Sequence, residues 1–126
     1  MKKFLTLLCL VPLVLGVSQV SLAHGVTKPQ HGGIVQASGE AFFELVQEAG
    51  GVALYVLNED EPVDAKAMTA KLNISAAGKK TEVSMVATEG HRFFAQGLKL
   101  GKGSTVAVMV IDQTTKSRLG TTFTVP

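Results

Sequence analysis

Ala70-Lys71-Leu72-Asn73-Ile74-Ser75, followed by Ala76-Ala77-Gly78-Lys79 and then Glu82-Val83-Ser84-Met85, is the stretch that decides the fold. Side chains alternate across an extended chain, so Leu72 and Ile74 fall on one face and Lys71, Asn73 and Ser75 on the other. Val83 and Met85 repeat the pattern, opposite Ser84 and Glu82. Two half-buried strands joined by a tight, glycine-containing turn account for all three segments.

The same grammar extends in both directions. Toward the N-terminus, Gly33 to Ala37 and Ala41 to Gln47 are separated by Ser38-Gly39, and Gly50-Gly51 turns the chain into Val52 to Leu57. Asn58-Glu59-Asp60-Glu61-Pro62 reads as a polar loop. Toward the C-terminus, Glu89-Gly90 leads into His91 to Ala95, and Gly97, Gly101 and Gly103 punctuate a connection to Thr105 to Ile111. That run is almost wholly apolar and predicts a central strand. Asp112-Gln113-Thr114-Thr115 then turns into Ser117 to Val125, where Phe123 and Val125 alternate with Thr122 and Thr124. Seven or eight strands with turns every eight to twelve residues and no amphipathic helix predict an all-β domain, a single immunoglobulin-like β-sandwich, with a small barrel as the second choice.

The first 23 residues differ in kind. Lys2 and Lys3 precede Phe4 to Val17, an uncharged run too short for a bilayer that needs roughly 20 apolar residues. Ser21 and Ala23 stand where a signal peptidase inspects small side chains, which places the cut before His24. The expected organisation is a signal peptide over 1–23, a flexible lead-in over 24–31 and the β-sandwich over 32–126. Export to the periplasm or beyond follows, with no stable membrane anchor after cleavage.

Removing Lys2 and Lys3 from the 12 basic residues of the 126-residue chain leaves ten, against ten acidic ones. The mature chain is therefore neutral and shows no Lys/Arg stripe interleaved with aromatics, which argues against a nucleic-acid partner. Cys9 is the only cysteine and lies in the leader. The mature protein then has neither a disulfide nor a thiolate metal site, and its stability rests on packing.

Cleavage before His24 would create a ligand. A free α-amine beside an imidazole can chelate one metal ion, and a second histidine completes a three-nitrogen set suited to Cu(II), which prefers tetragonal nitrogen and oxygen sites. His31 and His91 are the other histidines, both beside glycine-containing loops. Each alone reads as a surface histidine. Together with a terminal His24 they point to a metal role, although their spacing matches no short zinc motif.

Met68, in a less regular stretch, is a candidate thioether ligand, whereas Met85 and Met109 sit in apolar strand patterns that favour core packing. Glu44 lies between Phe43 and Leu45, on the face of Phe42 and Val46. An unpaired carboxylate there would be costly if buried, so exposure at a strand edge is expected, with a role as an oxygen ligand or in orienting a histidine as the functional alternative. Glu59, Asp60, Glu61 and Asp64 lack the ordered spacing of a calcium loop and read as a solvated turn. No nucleophile elbow, phosphate-cradling loop or catalytic cysteine occurs, so the sequence points away from an enzyme.

His24-Gly25, Pro29-x-His31-Gly32-Gly33, Phe43-Glu44-Leu45-Val46, Leu54-Tyr55-Val56 and Pro62-Val63-x-Ala65 resemble a family of small exported proteins found with heavy-metal efflux systems, and similar stretches occur near the N-terminus of the periplasmic adaptors of such pumps. The N-terminal histidine also resembles that of small periplasmic copper carriers with a β-sandwich fold. The resemblance implies a periplasmic accessory role in metal resistance, copper foremost, with an efflux component as partner, and it carries His24, His31 and Glu44 with it. The chain departs from these patterns in lacking a Met-rich or His-rich run and an adaptor's helical hairpin, which sets aside metal storage and membrane fusion. The rival expectation is a metal-free interaction module that docks through an exposed, uncharged edge such as Ala41 to Gln47.

Overall fold

The computed structural model describes residues 28–126; the expected signal peptide, its cleavage site and His24 lie outside the described residues. Nine strands follow one another: β1 (Ile34–Ser38), β2 (Ala41–Glu48), β3 (Gly51–Asn58), β4 (Glu61–Pro62), β5 (Met68–Ala76), β6 (Lys79–Ala87), β7 (Arg92–Gln96), β8 (Thr105–Asp112) and β9 (Arg118–Thr124). Among the described residues one 3-10 turn, Ala65–Ala67, links β4 to β5, with the Asp64 side chain accepting from the Lys66 amide at its start. No helix among the described residues is long and apolar enough to cross a membrane.

All pairings are antiparallel, in the order β1-β2-β3-β7-β6-β5-β8-β9, with β4 added to β3. One layer is β1-β2-β3-β7 and the other β6-β5-β8-β9; they share a short seam at Val86↔Phe94 and Ala87↔Phe93. On the opposite side β1 lies beside β9, so the sandwich is nearly closed. The all-β, two-layer architecture expected from the sequence is present, with eight strands along the sheet path.

The core follows from the alternation. Phe43, Leu45, Leu54, Val56 and Phe93 point inward from one layer, and Leu72, Ile74, Val106, Val108, Val110 and Phe123 from the other, all buried. Cross-strand pairs such as Leu45↔Leu54, Leu54↔Phe93 and Leu72↔Val108 stack these residues into continuous rows. Between β5 and β6, Ala77 and Gly78 both adopt positive φ, 52° and 79°. The right-handed twist of a two-residue hairpin requires this backbone.

The run Thr105 to Ile111 is the central strand expected, bonded to β5 on one side and β9 on the other. Two other expectations need correction. Val106, Val108 and Val110 face inside, whereas Ala107, Met109 and Ile111 are half-buried on the outer side. Met109 therefore lies outside the core, beside Gly120 of β9. Ala41 to Gln47 is no edge, because β2 is bonded on one side to β1 and on the other to β3. That removes the feature on which edge docking by this segment depended.

Candidate functional site

Glu44 is 1% exposed, so its expected exposure at a strand edge is overturned. It points to the outer face of the first layer, in a row with Val35, Tyr55 and Arg92 across β1, β2, β3 and β7. What buries it is the chain before β1, which folds back over that face. Gly32, at φ 76°, supplies the left-handed step that turns this segment. Gly33 lies so close to β2 that a Cβ there would collide with the Leu45 carbonyl oxygen and come within 2.7 Å of Val46 Cγ2.

The carboxylate is fully used. Its Oε1 accepts from the Gln30 amide at 2.9 Å and lies 3.0 Å from His31 Nδ1; its Oε2 accepts from the amides of His31 at 2.8 Å and Gly33 at 2.9 Å. Burial pushes the Glu44 carboxyl up, but the bonds from the His31 ring and the Gly33, Gln30 and His31 amides outweigh it, so its pKa lies below the ordinary value. A buried carboxylate persists here because each oxygen has two donors. The residues closest to the strand within the expected lead-in are thus tied down at Gln30 and His31.

An ionised carboxylate can only accept, so the neutral His31 ring carries its proton on Nδ1 and keeps a lone pair on Nε2. The ring lies flat on Tyr55, centroids 3.6 Å apart and planes 4° from parallel. His91 joins them from the turn before β7. Its carbonyl accepts from the Val56 amide at 3.2 Å, and the preceding Gly90 carbonyl accepts from the Ala65 amide at 2.9 Å. The next residue, Arg92, is fixed by Glu48 at 2.9 Å. The His91 ring sits 5.5 Å from Tyr55 and 6.4 Å from His31.

Burial lowers the His91 pKa, and the proximity of His31 lowers it further, because two positive rings repel. His91 therefore stays neutral, and able to donate a lone pair, to a pH below the ordinary 6.5. The unfolded chain binds that proton more readily, so acidification from about 6.5 downward destabilises the native state through this ring. NMR titration should show His91 with a midpoint below 6.5; a midpoint at or above it would contradict the packing around the ring.

The structure thus brings together His31 and His91, sixty residues apart in sequence, with Glu44 behind His31. Each Glu44 oxygen is committed to two donors, and the His31 ring is one of those on Oε1. Met68 does not join the rings; it lines a separate hollow with Glu59, Glu61, Asp64 and Asp112. Among the described residues no group of three or more His, Cys, Asp or Glu side chains is placed to hold a metal ion. Tyr55 was not among the expected site residues. The signal that could have found it is register: once the hairpin turns at Glu48↔Gly51, Glu44 must face Tyr55.

No family model matches the chain, and no curated protein or solved structure matches it significantly.

Proposed function

We propose that this is a periplasmic accessory protein of heavy-metal resistance, which binds one transition-metal ion, copper foremost, and passes it to a component of an efflux system without catalysing a reaction. The observation that carries this function is the convergence of His31 and His91, with the Nδ1 of His31 engaged by a buried carboxylate. Metal-ligating histidines characteristically donate their other ring N–H to a carboxylate or carbonyl, which fixes the tautomer and raises the basicity of the ligating nitrogen. The lowered pKa of His91 keeps a second imidazole available at neutral pH.

Two imidazoles leave further positions to fill. Cleavage before His24 would provide an amine and a third imidazole seven residues from His31, and a stretch of that length reaches about 25 Å at most, ample for a return to the ring cluster. Nitrogen donors of this kind suit Cu(II).

The test is Cu(II) titration followed by electron paramagnetic resonance on exported protein whose N-terminus has been established by mass spectrometry. It is run beside a form with one extra Ala before His24 and beside His31→Ala and His91→Ala. Tight binding with a nitrogen-rich signal, weakened by about tenfold or more in each altered form, is the expected outcome. Equal binding in all forms at about millimolar strength would reduce the histidines to surface residues and end the proposal.

A further inference from the structure

Taking the metal-site function above as its basis, we propose that Tyr55 is a positioning residue for His31, whose ring fixes the imidazole plane so that Nε2 is presented at a defined angle. The hydrogen bond to Glu44 holds one atom of the imidazole. Where that single bond is exchanged for water, the ring can pivot about its Cβ–Cγ bond, and that pivot would sweep Nε2 through an arc. The side chain of His31 is 37% exposed, so packing does not enclose it. The flat contact with Tyr55 at 3.6 Å and 4° removes the pivot by closing one face of the ring.

Tyr55 is itself held. Its backbone pairs with Glu44 of β2 and Arg92 of β7, so the strand that carries it is bonded on both sides, and its ring meets His91 at 5.5 Å. One cross-strand pair, Glu44↔Tyr55, thereby supplies both constraints on His31, an edge contact and a face contact. The closed face also shapes what the site can accept. A flat ligand cannot insert between His31 and Tyr55, and the donor left on the imidazole is the Nε2 lone pair at its edge, which suits an ion. Electron withdrawal by a metal at Nε2 makes the imidazole a better partner for the electron-rich phenol face, so the stack strengthens on loading.

The experiment compares the exported wild-type chain with Tyr55→Phe, which keeps the ring, and Tyr55→Leu, which removes it. In metal-free protein, NMR relaxation of the His31 ring carbons should report a rigid ring in wild type and Tyr55→Phe and a mobile one in Tyr55→Leu. With Cu(II) alone as the probe, Tyr55→Phe should bind within about twofold of wild type. Tyr55→Leu should bind about tenfold more weakly, the scale of one aromatic pair, with its resonance spectrum broadened into several species. An ordered His31 ring or undiminished affinity in Tyr55→Leu overturns the proposal. If no form binds Cu(II) while ring mobility changes as expected, the positioning role of Tyr55 stands and the metal function fails. Amide spectra confirm that each variant is folded, and Tyr55→Thr, suited to a strand, replaces the Leu variant if that one is not.

Discussion

Glu44→Gln should lower the unfolding free energy by about 2–4 kcal/mol, because a side chain of the same shape cannot replace what the carboxylate does. Glutamine keeps one accepting oxygen and turns an NH2 group toward donors, so at least one of the Gln30, His31 and Gly33 amides would face another donor. Urea denaturation should show an earlier midpoint with an unchanged slope, since the same surface is exposed on unfolding. Hydrogen exchange should accelerate at residues 30, 31 and 33 while the amides of β5 and β8 keep their protection. The loss should also depend on pH in a particular direction. The folded carboxyl lies below its ordinary pKa, so its stabilisation is complete above that ordinary value and disappears as pH falls through the folded one. Wild type and Glu44→Gln should therefore converge in acid. Parallel curves, or equal midpoints at neutral pH, would show that the carboxylate does not hold the segment.

Gly33→Ala has the second largest expected effect, about 2–3 kcal/mol, for a steric reason. The added Cβ would run into the backbone carbonyl of Leu45, which is committed to the sheet, as well as Val46 Cγ2. Neither neighbour is the free end of a flexible side chain, so the segment before β1 must lift. Lifting it pulls the His31 ring off Tyr55, and the nuclear Overhauser contacts between those rings should vanish together with the loss in stability. Gly32→Ala is the internal comparison. No atom lies within 4 Å of a Cβ there, and only the positive φ of 76° opposes it, so it should cost about 1 kcal/mol. Equal effects at the two glycines would contradict the close approach described for Gly33.

The strands were legible in the sequence because each buries one face. Leu72 and Ile74 against Lys71 and Asn73, or Phe123 and Val125 against Thr122 and Thr124, leave no other extended arrangement with a dry side. Met109 was misplaced because Thr105 to Ile111 is apolar at nearly every position, and composition then carries no alternation from which to choose the inner face. Glu44 was misread for a different reason. Its neighbours Phe42 and Val46 mark the outer face correctly, but burial of that face comes from Gln30 to Gly33, eleven and more residues earlier, and strand periodicity says nothing about a loop that folds across a sheet. His31 and His91 were recognised by residue type and by their adjacent glycines. Their meeting depends on β3 pairing with β7, a long-range partnership that local pattern does not specify.

The single tyrosine of the chain, in a protein without tryptophan, has an optical consequence. All long-wavelength protein emission originates at Tyr55, directly beneath the His31 imidazole. Fluorescence would therefore report the seating of the N-terminal segment on β3, not the consolidation of the core between the two layers. In a stopped-flow refolding experiment that signal and far-ultraviolet circular dichroism would follow two different events, and the delay between them would time the closing of this segment over an already formed sheet.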